Sequence, residues 1–333
     1  MAATPDAVPA SAADPLSAAP RAGALARRQW LIGLGLGVLG SLLFSGKAII
    51  IKLAYRHGVD AVTLIALRMA VALPFFVAVA IWQGRQAGAS AAPSPWVKGD
   101  RWRVLGLGLI GYYAASFLDF LGLQTISAAL ERVILYLNPT LVLLLSMAFL
   151  GKRPQRREWL ALPIAYGGML IVFGHDLLTA PLARGPGGAN AVALGAALVM
   201  ASALLYALYL VVGGQLVARV GSLRLTAWAS IVASLACIAQ ALVLDPHALF
   251  IQAREVYWLS LLNGFAGTVL PVFLVMMSIE RLGSVAASQI GMIGPVSTIL
   301  LAAWLLEEPV GVVQLLGTLV VLSAIWILTA RRS

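Results

Sequence analysis

The chain has 333 residues, of which 61% are hydrophobic and 11% charged, and its formal net charge is +10 at pH 7. A soluble globular domain carries about 25% charged residues, so this composition excludes a water-facing shell around a core and leaves apolar surface that must face lipid. The positive charge falls mostly in short loops between apolar runs, where it sets orientation rather than binding nucleic acid. The single cysteine, Cys237, excludes an internal disulfide and a cysteine-based metal site.

Residues 1–28 are rich in Ala, Pro, Ser and Asp and read as a disordered cytoplasmic tail. Ten apolar runs follow, each near the length of about 20 residues that a bilayer requires. They are Trp30–Ile51, Ala61–Trp82, Val104–Gln124, Ser127–Leu150, Trp159–Phe173, Ala191–Leu216, Leu225–Val243, Val256–Ile279, Ser284–Leu306 and Gly311–Leu328. Eight of the nine tryptophans sit near the ends of these runs, as indole rings at the headgroup level do. With the N-terminus in the cytoplasm, sixteen Lys and Arg fall on the cytoplasmic side. Four fall outside (Lys52, Arg56, Arg184 and Arg254), and three lie within spans. Both termini are therefore expected in the cytoplasm.

The two halves echo each other. Gly58 precedes Thr63 by five residues, and Gly221 precedes Thr226 by five. Ser127-Ala128-Ala129 leads to Pro139 and Gly151, as Ser284-Val285-Ala286-Ala287 leads to Pro295 and Glu307-Glu308. Five spans per half is an odd number, so a second copy must run inverted, a common plan of secondary transporters. The expected architecture is an all-α membrane protein with ten transmembrane helices in two inverted five-helix repeats. The first repeat takes residues 29–174, an external linker 175–190, and the second repeat 191–330.

Arg68 after Leu64-Ile65-Ala66-Leu67, the run Gly122-Leu123-Gln124-Thr125-Ile126-Ser127-Ala128-Ala129, Asn138-Pro139-Thr140 and the pair Gly167-Gly168 together resemble the EamA-like branch of the drug/metabolite transporter superfamily. The resemblance covers roughly residues 30–330. It implies ten helices, inverted repeats and export or exchange of small metabolites across the bacterial cytoplasmic (inner) membrane. One departure stands out: the family often carries Gly-Glu after the fourth span, where this chain has Gly151-Lys152, and acids stand there only in the second half, as Glu307-Glu308.

Five ionisable residues fall within spans: Lys47, Arg68, Asp119, Glu131 and Arg132. On insertion scales a charge at the centre of a lone helix costs about 2.5–3.5 kcal/mol, so such groups persist where they pair or face a wet cavity. Lys47 and Arg68 are the candidates for holding an anionic group of a substrate. Asp119 and Glu131 are the candidates for proton coupling, because carboxyls in low dielectric retain protons more readily. Arg132, one residue from Glu131, points about 100° away on a helix and is expected to snorkel to the interface. Polar stripes at helical spacing add Tyr112, Ser116, Asn138, Tyr206, Asn263 and Gln289 as substrate-binding candidates. An ion-pair network that merely holds the first four spans together accounts for the same charges equally well.

The reading is a transporter, expected to export a small polar metabolite such as an amino acid by alternating access, with no cofactor and no metal. Its partners are that small molecule and the lipid bilayer, and a homodimer stays open. A structural or regulatory membrane subunit is the alternative. A membrane-embedded enzyme is a more remote one, since no nucleophile or metal-binding motif stands at a usable place.

Overall fold

The computed structural model describes residues 15–86, 96–151, 156–179, 188–282, 290–291, 293–308 and 311–329. Among these residues the chain is built of ten long helices and no strand. They are α1 (Pro15–Tyr55), α2 (Ala61–Gln86), α3 (Asp100–Leu123), α4 (Ala128–Leu150), α5 (Arg156–Thr179), α6 (Gly188–Val220), α7 (Ser222–Leu244), α8 (254–282), α9 (Ile293–Leu306) and α10 (Val312–Thr329). Seven of them contain segments long and apolar enough to cross a membrane, and α5, α9 and α10 carry shorter apolar stretches. Each coincides with an expected run because backbone N–H and C=O groups in lipid must be satisfied within the segment, which a helix does by itself.

Some ends differ from expectation. Helix α1 begins at Pro15, inside the stretch read as a tail, where Ala and Leu favour helix; residues 1–14 lie outside the described residues. Helix α5 continues to Thr179 and α6 starts at Gly188, which shortens the expected linker from both sides. Four helices carry irregularities, among them α9, which ends in a π segment at Ala302–Leu306. Helix α3 contains a π segment at Leu109–Ala114 and α8 another at Phe265–Val269. Helix α4 is interrupted between Ala128–Leu135 and Asn138–Leu150, where Pro139 cannot donate to the ladder.

The main packing pairs are α5 with α10, α2 with α7, α1 with α8, and α3 with α6. Small residues set the closest approaches. Gly33, Gly37 and Gly40 form one stripe of α1 against α8, where an added Cβ at Gly37 would stand 2.7 Å from the Ser278 hydroxyl. The stripe is therefore a packing surface, as small-residue spacing in membrane helices implies. Large apolar side chains are exposed along most helices, and Trp30, Trp82, Trp102, Trp159, Trp228, Trp258, Trp304 and Trp326 all project outward. A cavity with charged and polar side chains in a largely apolar wall is left inside, between α1, α2, α3, α4, α6 and α8.

Candidate functional site

The cavity has a volume of about 310 Å³ and is lined by residues from all six of those helices. The π segments of α3 and α8 reach it. Gly111 and Tyr112 come from the one in α3, and Gly267 and Thr268 from the one in α8. A π turn widens the helix and frees a carbonyl, a distortion frequent at functional sites. In α8 the Thr268 hydroxyl donates to the Asn263 carbonyl at 2.9 Å. In α3 the missing side chain of Gly111 is what admits Tyr209, since a Cβ there would lie 2.3 Å from the Tyr209 Cβ. Tyr209 then packs edge-on to Tyr112, with ring centroids 5.0 Å apart, and stacks on Tyr206 at 5.8 Å. Tyr112 and Tyr206 form one aromatic wall of the cavity.

The charges form a second group. Lys47 Nζ on α1 donates to Asp119 Oδ2 on α3 at 2.7 Å and stands 4.0 Å from Glu131 Oε1 on α4. Arg132 Nε is 3.7 Å from Glu131 Oε2, and its Nη2 donates to the Phe44 carbonyl at 2.6 Å. Two acids and two cations therefore form one connected group. Arg132 does not snorkel. Every residue of Ala128–Ile134 is buried, because this segment is enclosed by α1, α5, α6 and α9, so no lipid face is available to it.

Arg68 makes no salt bridge to that group among the described residues. Its side chain is 3% exposed, its guanidinium carbon lies 4.6 Å above the Phe120 ring, and it lines the cavity. Nε and Nη2 are buried with no hydrogen-bond partner among the described residues. Asp119 Oδ1 and Asn138 Oδ1, from two other lining residues, are unpartnered as well. Buried polar groups are ordinarily satisfied, so this concentration of open donors and acceptors around one cavity describes a place for a polar guest.

Of the residues expected from sequence, Lys47, Arg68, Tyr112, Ser116, Asp119, Asn138 and Tyr206 all line the cavity. Glu131 is fully buried within the ion cluster rather than on the wall. Asn263 is also fully buried and sits behind Gly267, whose added Cβ would lie 2.5 Å from Asn263 Oδ1. Gln289 lies outside the described residues. Sequence reasoning missed Phe44, Met69, Tyr136 and Thr268 on the wall. Ser202, which shares a helical stripe with Tyr206, also lines the cavity, and its hydroxyl ties α6 to the Ala115 carbonyl of α3 at 2.6 Å. The Tyr136 hydroxyl donates to the Gly291 carbonyl across the bundle. Among the described residues no group of His, Cys, Asp and Glu could hold a metal ion.

Comparison with known proteins bears on the family and the fold. The model of the EamA-like transporter family matches residues 31–174 and 193–330. "Uncharacterized transporter YcbK" of Bacillus subtilis (strain 168) is 29% identical over 291 residues, covering 84% of this chain and 87% of its own length. A solved crystal structure with 18% identity superposes with a TM-score of 0.57 over 89% of this chain and 96% of the other, which is a likeness of fold.

Proposed function

The chain belongs to the EamA-like transporter family, and from that premise we propose that it exports a small polar metabolite, an amino acid or related anion-bearing compound, by alternating access. The observation that carries this reading is Arg68, a buried guanidinium with two open donors on the wall of a cavity about 310 Å³ in volume. Desolvating an unpaired cation is costly, and a visiting carboxylate matches the guanidinium fork in a bidentate pair. Lys47 is committed to Asp119, so it orders the site and adds positive potential rather than gripping the solute alone. Asp119 and Glu131, coupled through Lys47, are the proton-carrying pair.

The proposed topology is ten membrane spans in two inverted five-helix repeats in the bacterial inner membrane, with both termini cytoplasmic. The family model matching in two successive segments supports the repeat. So does the reciprocity of the packing, because α1 with α8 and α6 with α3 are the same pair under exchange of halves. The π segments of α3 and α8 correspond in the same way, as do the left-handed glycines Gly58 and Gly221.

The test is transport by the purified chain in proteoliposomes, using a panel of carboxylate-bearing, cationic and neutral solutes at matched concentration. Saturable movement of a carboxylate-bearing solute that is lost in Arg68→Gln is the expected outcome. Movement of neutral or cationic solutes alone, unaltered by Arg68→Gln, overturns the assignment.

A further inference from the structure

At the Lys52 end of the bundle, three helices meet through a small set of polar contacts that the cavity does not use. Lys52 Nζ on α1 lies 3.2 Å from Glu308 Oε1, just beyond the end of α9. The same carboxylate accepts the Ala128 N–H, at 3.2 Å to Oε2 and 3.4 Å to Oε1. Ala128 is the first residue of α4, so the carboxylate sits on a helix N-terminus, where negative charge is favoured. Arg56 Nη2 on α1 donates to the Leu306 carbonyl at 2.5 Å. The backbone bends to make this possible. Glu307 has φ 58°, the only positive φ at a non-glycine among the described residues, and this left-handed turn directs the next residue back toward α1 and α4.

Beneath these contacts lies a buried apolar layer that includes Ile51, Leu64, Ile65, Phe120, Leu123 and Leu306. Chain direction places this layer between the cavity and the polar contacts. Ile51 follows Lys47 on α1, Leu64 and Ile65 precede Arg68 on α2, and Phe120 and Leu123 follow Asp119 on α3. Lys47 and Lys52 are five residues apart, a rise of about 7.5 Å along a helix.

We propose that Glu308 is a gate-positioning residue: its ion pair with Lys52 and its cap on α4 latch α9 to α1 and α4, holding the apolar layer shut over the cavity at this end. The inference rests on the alternating-access reading above, and adds to it which contacts must break for this end to open. It also links the gate to the site, because the segment capped by Glu308 carries Glu131 and Arg132, which belong to the ion cluster. Opening the latch releases the N-terminus of that segment.

The chain carries its own reporter. Cys237 is its sole cysteine and is fully buried within the same apolar layer. Its labelling by a membrane-impermeant methanethiosulfonate therefore reads opening of the layer without need of a solute. The reagent is applied to right-side-out vesicles, exposing the Lys52 face in the proposed orientation, and separately to inverted vesicles. Glu308→Ala removes both the pair and the cap, and is expected to raise the labelling rate from the Lys52 face about tenfold, the change that ~1.4 kcal/mol makes in an equilibrium. Glu308→Gln, which keeps an acceptor for the Ala128 N–H, and Lys52→Gln should fall between it and the unaltered chain. The exchange Lys52→Glu with Glu308→Lys should recover part of the protection, since it re-forms the pair but not the cap.

Unchanged labelling in Glu308→Ala and Lys52→Gln overturns the proposal. An equal rise from both faces also overturns it, because that is general loosening, and so does an exchange variant as reactive as the faster single variant. Solute transport is a separate readout: intact transport with unchanged labelling fails the latch alone, whereas faster labelling in a chain that moves no solute fails the transporter reading alone.

Discussion

Arg68 offers a test in which stability and affinity separate. Among the described residues it makes no salt bridge and stands with two open donors at the cavity wall, whereas Lys47 is tied to Asp119 at 2.7 Å. Breaking a buried pair by removing one partner costs about 3–5 kcal/mol, because a charge is left uncompensated. Lys47→Gln should therefore lower the melting temperature in detergent by several degrees, since about 1 kcal/mol shifts Tm by roughly 2–4 °C in chains of 150–250 residues. Arg68→Gln strands no salt-bridge partner among the described residues and gives up its place over the Phe120 ring, so its Tm should change far less. Affinity should behave in the opposite sense. Replacing the guanidinium by an ammonium in Arg68→Lys loses one of two charge-assisted hydrogen bonds to a carboxylate, about 1.5–3 kcal/mol. That corresponds to roughly ten- to hundredfold weaker apparent affinity at unchanged Tm. The assays are thermal unfolding followed by size-exclusion chromatography, and solute concentration dependence in proteoliposomes normalised to inserted protein. If Arg68→Gln destabilises the fold as much as Lys47→Gln does, and Arg68→Lys leaves affinity unaltered, Arg68 is scaffolding and the solute is held elsewhere.

Three further outcomes follow from the geometry. Glu131→Gln and Asp119→Asn should abolish the response of transport to an imposed pH gradient, measured in vesicles at matched protein content; full retention of the response in both variants rejects proton carriage by this pair. Gly111→Ala forces a Cβ to 2.3 Å from that of Tyr209, and overpacking of this kind costs about 1–3 kcal/mol, so Tm should drop while the same change at Gly35, which meets nothing within 4 Å, leaves it nearly unchanged. Glu307→Gly relieves a non-glycine residue at φ 58°, a conformation costing about 1–3 kcal/mol, so it should hold or raise Tm; a fall of several degrees would show that the Glu307 side chain itself is needed.

What the sequence disclosed and what it concealed divide along one physical line. Lipid imposes a length and a composition on each span, so all ten helices could be read as runs of apolar residues with tryptophan at their ends. A charge in such a run is conspicuous for the same reason, and Lys47, Arg68 and Asp119 were found without any geometry. The pairing between charges left no trace in sequence. That Asp119 would take Lys47 and leave Arg68 open depends on where α1, α2 and α3 converge. Arg132 was misjudged because its angle from Glu131 says only that it points elsewhere on the helix, not that every side of that helix is covered by protein. Phe44 and Met69 are apolar residues in apolar spans and give no signal at all. The π segments likewise have no spelling, although Gly111 and Gly267 within them were visible as glycines.

The chemistry of the two halves differs, and under the proposed repeat the difference is informative. Under the proposed exchange of repeats, Lys47, Arg68 and Glu131 meet Leu210, Ile231 and Ala287, so the second half carries none of these charges. A symmetric pair of such clusters would double the desolvation cost while offering one solute two competing sites. With the charges confined to one half, the other is free to supply shape and closure. It contributes Ser202, Tyr206, Gly267 and Thr268 to the cavity wall and Glu308 to the contacts at the Lys52 end. The acid absent after the fourth span, where Lys152 stands, is present after the ninth, where it reaches across to α1 and to the first residue of α4. An acid at position 152 would belong to the opposite end of the bundle under an inverted repeat. The sequence has a lysine there, so under the proposed exchange the carboxylate that pairs and caps at the Lys52 end has no acidic counterpart in the first half.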